Sequence, residues 1–487
     1  MYETVIGLEV HSQLLTKSKM FCSCKSDYQT AEPNTRVCPV CMGLPGVLPV
    51  INKKAVELVI KTGLALDCQI SETTNFDRKN YPYPDLMKGY QISQFEEPIG
   101  QYGKLAIDND PNKGREIRIT RVHLEEDVAK LKHEKDNVGN GYSLLDINRS
   151  GVALMEIVSE PDIRSPTEAH SYLTNLHALL RFIEVSTANM EEGSFRCDAN
   201  ISIRPPRSNK LGPKVEIKNV NSFKAVTRAL EYEEVRQRKS LELGHRIIQE
   251  TRGWSDDRGI TISQRTKEYA SDYRYFPEPD LPPIHIGKEW TTKIKQSLPE
   301  LPAEKKIRYQ SDLGLSAYDS NLISSRKEFA NLFDDTMTVS QATGPVRKKF
   351  AKSVSNWITV ELGRMLNDTA AIPDGNQITP GGLCELIELV ENDTLNNNMA
   401  KEIFSNMFKS GGSPKIIADQ FGMLQISNKD LLSESIAKVM EDQQEAVADY
   451  INGKDTALKF LVGQVMKSTE GKANPKVAFE LLAKQLD

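Results

Sequence analysis

Four of the seven cysteines lie close together in the sequence, as a C-x-C pair followed after thirteen residues by a C-x2-C pair. These residues are Cys22, Cys24, Cys38 and Cys41. Four thiolates are the ligands of a closed tetrahedral zinc site, which is structural because no position stays open for a substrate. The spacing therefore predicts a zinc knuckle at about residues 22–41. Buried or disulfide-paired cysteines are the alternative explanation.

Carboxylate, imidazole and basic side chains recur at every second position in four segments that alternate as β-strands do. The polar positions are Glu9, His11 and Gln13 in residues 6–13, His123 and Glu125 in residues 117–125, Asp198, Asn200, Ser202 and Arg204 in residues 198–204, and Glu216 and Lys218 in residues 215–218. This pattern is typical of an antiparallel sheet with one packed face and one face in water. Four such strands together also favour a polar cavity, where carboxylates with one imidazole suit Mg2+ near a phosphate.

Helices are predicted beside these strands. The string Ser165-Pro166-Thr167-Glu168 has the residues of a capping box, with proline at the first helical position. Leucines then recur at helical spacing and predict a core-facing stripe. A second helix is predicted from Ser222 to Leu243, and it should end at Gly244.

The periodicity of the sequence changes at the proline-rich segment Tyr273–Pro283, which we expect to be a rigid connection. Short β-like runs precede it, and helical periodicity follows it almost to the end. At roughly 150 residues per domain, the length of 487 residues corresponds to about three domains. We therefore expect an α+β protein, in which a domain with a largely antiparallel sheet and the zinc knuckle (residues 1–294) precedes all-α regions.

Composition excludes several classes of protein. The 62 basic and 67 acidic side chains give a formal charge of −5, which excludes a strongly basic nucleic-acid-binding protein and leaves only local patches for a polyanion. No run approaches the roughly 20 apolar residues of a membrane helix, and no targeting segment is visible. Phosphate-loop, Rossmann and nucleophile-elbow motifs are absent from the sequence. We expect a cytoplasmic protein that does not contact a membrane.

The sequence also resembles the B subunit of the tRNA-dependent amidotransferases, the family that acts on Asp-tRNA(Asn) and Glu-tRNA(Gln). The matching strings are Gly7–His11, Cys38–Gly46, Asn75–Tyr81, Lys88–Gln94, His123–Asp127, Glu191–Asn200, Glu216–Asn219, Tyr273–Pro283, Asn356-Trp357, Val462–Lys467 and Gly471–Pro475. Thr261–Lys267 departs from the Ser-Met-Arg-Ser-Lys type of run that is usual there, so no role is carried over to it. The resemblance implies an N-terminal cradle domain (1–294), a helical domain (295–400) and a helical tail domain (401–487).

The resemblance implies a ligase of protein biosynthesis that forms a carbon–nitrogen bond with glutamine as amido donor. In such a heterotrimer, a glutaminase (amidase) partner, the A subunit, releases ammonia, and the small C subunit holds the other two together. The B subunit binds the mischarged tRNA(Gln) or tRNA(Asn) and uses ATP to phosphorylate the side-chain carboxylate, so that ammonia can displace the phosphate. A non-catalytic, zinc-stabilised scaffold that binds tRNA in the same complex is the alternative.

This interpretation gives the polar residues roles. Glu9, His11 and Glu125 are the expected catalytic residues and magnesium ligands. The expected contacts to nucleotide or substrate are Arg78, Lys79, Asp198, Asn200, Glu216 and Lys218. Arg78 and Lys79 could contact phosphate or line the entry path of ammonia. For the second-rank candidates, Asp198, Asn200, Glu216 and Lys218, a structural salt bridge is the alternative. Residues 454–487, with six lysines and four acids, are a candidate patch for tRNA phosphates.

Overall fold

The structure is a computed structural model that describes residues 2–107, 115–136, 139–208, 210–266, 273–368, 377–421, 429–454, 456–469, 473 and 475–486. The chain divides into two compact units, residues 1–307 and 308–487. Most of the string Gly471–Pro475 and the end of Thr261–Lys267 lie outside the described residues. The proposed boundaries at 294 and 400 stay predictions.

The first unit combines strands and helices. Its strands are β1 (Glu3–Gln13), β2 (Gln69–Ile70), β3 (Thr73–Thr74), β4 (Asp77–Asn80), β5 (Tyr90–Ser93), β6 (Gly100–Ala106), β7 (Glu116–Glu126), β8 (Lys130–Lys135), β9 (Gly141–Asp146), β10 (Ala153–Ser159), β11 (Phe195–Arg204), β12 (Val215–Lys218), β13 (Glu250–Ser255), β14 (Ile260–Thr266), β15 (Phe276–Pro277) and β16 (Ile284–His285). Its helices are α1 (Lys53–Ala65), α2 (Pro166–Phe182), α3 (Phe223–Glu242) and α4 (Lys288–Gln296), with α5 (Pro302–Ser311) crossing its boundary.

A nine-stranded sheet forms the centre of this unit, in the order β14-β13-β12-β11-β1-β10-β7-β6-β2. Its neighbouring strands are antiparallel, except that β12 and β13 run parallel. The four segments with alternating polar residues are β1, β7, β11 and β12. The prediction of an α+β fold with a largely antiparallel sheet is therefore confirmed.

One face of the sheet packs against the helices. Ile6, Leu8 and Val10 of β1 are buried, and they share a core with Leu173 and Leu176 of α2. Because strand side chains alternate, the residues between them must point to the opposite face. Each fully buried side chain of this size contributes roughly 1.5–3 kcal/mol to folding, so the apolar alternation fixes which face carries the polar groups.

The helix boundaries agree with the predicted signals. Ser165 caps α2 by accepting a hydrogen bond from the backbone N–H of Glu168, with Pro166 at the first helical position. The Glu168 carboxylate accepts from the backbone N–H of Arg164, 2.7 Å away, one residue before the cap. Ser222 caps α3 in the same way. Both helix predictions are confirmed, and the left-handed backbone at Gly244 (φ +77°) follows α3.

A smaller sheet lies over part of the polar face. It has the order β15-β4-β5, and β5 contacts the end of β7. Ser93 Oγ donates to Glu125 Oε2 at 3.1 Å, and the backbone N–H of Ile92 donates to Glu126 Oε1 at 3.0 Å. The polar face is therefore not fully exposed to water as the pattern suggests, because the smaller sheet covers its end.

In the described residues, the second unit is helical. Its elements are α6 (Ala317–Ser324), α7 (Lys327–Val339), α8 (Gly344–Asn356), a π-helical stretch (Trp357–Leu362), α9 (Gly363–Asp368), α10 (Pro380–Glu391), α11 (Asn397–Ser410), α12 (Pro414–Gln420), α13 (Lys429–Asp442), α14 (Gln444–Ile451), α15 (Thr456–Ser468) and α16 (Pro475–Leu486). Buried residues of α13, α15 and α16 form a hydrophobic cluster of their own. None of the helices described is both long and apolar enough to cross a bilayer.

Candidate active site and cysteine cluster

A row of charged side chains crosses four adjacent strands on the polar face. His11 of β1 lies opposite Arg196 of β11 and opposite Glu156 of β10. Glu156 in turn lies opposite His123 of β7. Directly opposed residues of an antiparallel pair point to the same face and approach within contact distance, so the register alone brings these four groups together.

Two carboxylates and two imidazoles meet at the centre of this row. His11 Nε2 lies 3.4 Å from Glu156 Oε2 and 3.6 Å from Glu125 Oε1. His123 Nε2 lies 3.3 Å from the same Glu156 oxygen, and its Nδ1 accepts from Arg121 Nε at 3.3 Å. His123, Glu125 and Glu156 are almost completely buried, so their charges interact with little screening by water.

Three of these residues could hold a cation. The ligand atoms of His11, Glu125 and Glu156 all lie within 4.8 Å of one another. Neighbouring ligands of six-coordinate magnesium are about 3 Å apart, and two carboxylates leave positions for water or phosphate oxygens. The separations and the donors fit such an ion, although an imidazole is a less usual ligand for it than an oxygen.

The charges of this cluster stabilise one another. Burial alone would lower the pKa of His11, but the Glu156 and Glu125 carboxylates raise it above its ordinary value. Burial would raise the pKa of Glu156, but the two imidazoles hold it well below its ordinary value. The pKa of Glu125 is also lowered, because His123 and Lys79 outweigh the effect of burial. The carboxylates are therefore ionised at neutral pH, and a cation at this site would have to displace the proton that they favour on His11, because an imidazole binds a metal only in its neutral form.

Lys79 brings a second positive charge to the cluster. Burial would lower its pKa, but the Glu125 and Glu156 carboxylates raise it above the ordinary range. Its ammonium lies 5.1 Å from the centre of the Tyr273 ring, and the nearby Tyr275 ring stacks on Phe95. The segment that was expected to be only a rigid connection therefore forms part of the surroundings of the site.

Glu9 lies beside this cluster on β1, and its carboxylate faces Asn200. Asn200 Nδ2 donates to Glu9 Oε1 at 2.8 Å, while its buried Oδ1 has no hydrogen-bond partner in the described part of the chain. Both residues line a cavity of about 220 Å³, together with Gly7 and Lys214. Glu9 is outside the group of three possible cation ligands, and its role as a ligand stays a prediction.

The other predicted contact residues form two ion-pair networks. Lys218 Nζ lies 2.7 Å from Asp198 Oδ2 and 3.4 Å from Glu216 Oε1, next to Glu9 and Asn200 in the register of the sheet. Arg78 instead donates two hydrogen bonds to Glu278, of 2.8 and 2.7 Å. The structural ion pair that was left open for Lys218 is therefore present, and Arg78 also forms an ion pair.

Glu156 and Arg196 belong to the cluster but were missed in the sequence. Six of the seven residues of β10 are buried, so this strand shows no alternation of polar and apolar residues. The signal that could have found Glu156 is a single acid inside the apolar run Ala153–Ser159, because an acid there must be paired. Arg196 is held by Asp127, with 3.0 Å between Nη2 and Oδ2.

The four cysteines come together in the structure. Their sulfur atoms all lie within 4.8 Å of one another, and none of the four forms a disulfide. The Sγ atoms of Cys38 and Cys41 are 3.9 Å apart, close to the roughly 3.8 Å edge of a zinc–thiolate tetrahedron. Hydrogen bonds from Cys22 and from the backbone N–H of Cys38 lower the pKa of Cys41 to about 4. The sulfur positions fit zinc, and in the structure the four cysteines are free thiols.

The fold and the site define an α+β protein with a buried carboxylate–imidazole cluster on a sheet and a separate four-cysteine cluster. Residues 4–292 match the GatB/GatE catalytic domain family, and residues 341–486 match the GatB domain family.

Curated relatives match the chain over its full length. The B subunit of aspartyl/glutamyl-tRNA(Asn/Gln) amidotransferase from Dehalococcoides mccartyi is 54% identical, and the alignment covers 100% of this chain and 99% of the relative. The proteins of the same name from Thermodesulfovibrio yellowstonii and Thermoanaerobacter pseudethanolicus are 50% and 49% identical, each with 100% and 99% coverage. The chain therefore belongs to the B-subunit family of the Asp/Glu-tRNA(Asn/Gln) amidotransferases, and the resemblance seen in the sequence is confirmed.

Proposed function

We propose that this chain uses ATP to activate the side-chain carboxylate of Glu-tRNA(Gln), Asp-tRNA(Asn) or both, so that ammonia converts it to an amide. The observation that carries this proposal is the buried cluster of His11, Glu125 and Glu156 beside Lys79. The relatives are named as B subunits of aspartyl/glutamyl-tRNA(Asn/Gln) amidotransferases, which supports the choice of substrate.

The chemistry requires such a cluster. A carboxylate is a poor electrophile because attack adds charge to a group that is already anionic. Phosphorylation of the carboxylate supplies a good leaving group, but it requires two anions, the terminal phosphate of ATP and the carboxylate, to meet. Positioning and charge neutralisation therefore matter more than covalent help from the protein.

The side chains of the cluster can divide this work. His11, Glu125 and Glu156 would hold Mg2+, which when bound would neutralise phosphate oxygens. The Lys79 ammonium adds a fixed positive charge on the same side of the sheet, held there by the Glu125 and Glu156 carboxylates. The enclosing strands β4 and β5 limit the access of water, which strengthens these interactions and protects an acyl phosphate from hydrolysis.

The residues around Glu9 are proposed to contact nucleotide or substrate. Glu9 remains a proposed catalytic residue and magnesium ligand from the sequence. The buried Oδ1 of Asn200 at the neighbouring cavity, which has no hydrogen-bond partner among the described residues, supports a ligand there. Asp198, Glu216 and Lys218 would orient this pair through their ion-pair network. Arg78 would act indirectly, because its bond to Glu278 fixes the segment that carries Tyr273 and Tyr275.

The cysteine cluster is proposed to hold a structural zinc ion. Cys22 and Cys41 line a cavity of about 230 Å³ whose lining also includes Lys88 and Glu126. A closed zinc site there would stiffen residues 22–41 without taking part in the reaction. We propose that this stiff loop supports the acceptor end of the tRNA.

The proposed partners follow from the same chemistry. A glutaminase partner, the A subunit, would supply ammonia, and the small C subunit would hold the complex together in the cytoplasm. The tRNA phosphates would meet local basic patches such as residues 454–487, because the chain as a whole has a net charge of −5.

An amidation assay tests the proposal. The chain is combined with the glutaminase and small partner subunits, glutamine, ATP and Mg2+, and supplied separately with Glu-tRNA(Gln) and Asp-tRNA(Asn). We expect ATP-dependent amide formation on at least one substrate. Glu9→Ala should retain tRNA binding and lose amidation. Unchanged amidation by a Glu9→Ala/His11→Ala double variant would instead overturn the magnesium site assigned to these residues.

A further inference from the structure

Lys19 is completely buried next to the cysteine cluster. Its relative exposure is 0%, and it is among the largest fully buried side chains of the described residues. Lysine is almost never fully buried unless it is paired, because removing an ammonium from water costs several kcal/mol. The identity of its partner therefore carries information about the charge of its surroundings.

The partner of Lys19 is a sulfur atom. Lys19 Nζ donates to Cys41 Sγ at 3.5 Å. Lys88, which lines the same cavity as Cys41, instead has a carboxylate partner, with 2.5 Å between Lys88 Nζ and Glu126 Oε1. Within the described residues, no carboxylate oxygen forms such an ion pair with Lys19. The compensating negative charge must then come from the cysteines.

The backbone fixes this contact from both sides. The backbone N–H of Lys19 donates to the carbonyl of Cys24 at 2.9 Å, and Asn52 Nδ2 donates to the carbonyl of Lys19 at 3.2 Å. Ser150 Oγ donates to the carbonyl of Cys41 at 3.1 Å. Lys19 and Cys41 are therefore held in place by contacts that do not depend on their own side chains.

The negative charge of a metal–thiolate cluster explains why a lysine is buried beside it. Four thiolates around a divalent cation have a net charge of −2, which is unfavourable in a site with little water. Cys41 is the one buried cysteine of the four, whereas the other three are partly exposed, so its sulfur has the least access to water as a hydrogen-bond donor. A buried ammonium can supply both the hydrogen bond and one compensating charge.

We propose that Lys19 is a positioning residue of the cysteine cluster, whose ammonium donates a hydrogen bond to the Cys41 thiolate and retains the metal by offsetting its excess negative charge. The proposal rests on the proposed zinc site and deepens it, and it is independent of amidation. Outer hydrogen-bond partners of metal ligands commonly change metal affinity about 10- to 100-fold, and we expect an effect of that size.

Metal exchange in the full-length chain tests the proposal. The protein is loaded with Co2+, and the thiolate-to-cobalt charge-transfer band and the rate of metal transfer to a chelator are measured. Lys19→Met removes the ammonium and keeps an unbranched side chain that is one atom shorter. We expect a shifted band and release that is about tenfold faster or more. Lys19→Arg should restore both, and the exposed Lys17→Met is the matched control.

The possible outcomes separate the claims. Lys19→Met with the band and release rate of Lys17→Met would overturn the role of Lys19. If Lys19→Met does not fold, Lys19→Gln tests the charge alone, because it keeps an N–H donor, and release as slow as in Lys17→Met would overturn the proposed charge compensation. A native chain that binds no cobalt through its cysteines would overturn the zinc site together with this inference, while the amidation assay would be unaffected.

Discussion

Glu156 lies between two imidazoles, with its Oε2 atom 3.4 Å from His11 Nε2 and 3.3 Å from His123 Nε2. Glu156 makes the shorter contacts to both histidines, while Glu125 lies 3.6 Å from His11 and 3.9 Å from His123, and with His11 the two carboxylates form the group of possible cation ligands. Its lowered pKa and the raised pKa of His11 are two descriptions of the same attraction. Removal of its charge should therefore affect the whole cluster.

The variant Glu156→Gln tests whether the reaction requires the charge of Glu156. The amide keeps the shape of the side chain but removes the charge, so both imidazoles lose the nearer of their two carboxylate partners and the cation loses a charged ligand. We expect ATP-dependent amidation to fall by about 100-fold or more, with tRNA binding retained. The exposed Glu116→Gln on β7 is the control. Amidation at the native rate in Glu156→Gln would contradict the assignment.

At the scale of secondary structure, local sequence patterns predicted the strands and helices. They did not predict that the small sheet covers part of the polar face of the large one. The alternation in β1 and the cap at Ser165 depend on neighbours a few residues apart, so both could be seen in the sequence. The pairing of Phe276 with Arg78 joins distant parts of the chain, and no periodicity encodes it. For this reason the enclosure of the polar face and the position of Tyr275 were not predicted.

The same limit applies to β10. A strand that is buried on both faces reads as a continuous apolar run, so its direction and its partners are hidden. Glu156 could be predicted as a paired acid, but the pairing with His11 follows from the register between β1 and β10. The four cysteines were easier to predict, because a metal site repeats its ligands at short spacing along the chain.

A buried ion-pair network joins α3 to the edge of the large sheet, and its pH dependence can be tested. The Glu233 side chain has 0% exposure and contacts Arg236 at 2.8 Å and Arg252 at 3.0 Å. Burial would raise its pKa, but Arg236 and Thr261 lower it below the ordinary value. Because the pKa is lower in the folded state, this stability is present above the unfolded pKa of about 4.3 and is lost as pH falls through the folded pKa.

The variant Glu233→Gln should therefore be less stable than the native protein at neutral pH. Loss of one partner of a buried ion pair costs about 3 kcal/mol, and urea unfolding at pH 7 measures this difference. The difference should shrink as the pH falls below 4, because the native carboxyl also becomes neutral. The exposed Glu242→Gln at the end of α3 is the control. A difference that stays constant with pH would contradict the explanation.

At the scale of the whole molecule, the two family matches fall in different parts of the chain, residues 4–292 and 341–486. The compact units, 1–307 and 308–487, give a similar division. The candidate cation ligands and the four cysteines all belong to the first unit, while α13, α15 and α16 of the second have their own core. Substitution of the cysteines or loss of their metal should therefore lower the stability of the first unit before that of the second.

Removal of zinc tests this expectation in the full chain. We expect about one zinc per chain by elemental analysis, and chelation should lower the thermal midpoint, because a ligand that binds only the folded state stabilises it. Hydrogen exchange should rise in residues 17–52, with residues 429–454 as an internal reference. Cys24→Ser should reproduce the effect without chelator, whereas Cys384→Ser should not remove the metal. Zinc well below one equivalent, with unchanged stability after chelation, would exclude a structural metal. The four converging cysteines would then have to be stable as neutral thiols, because four thiolates without a cation would repel one another.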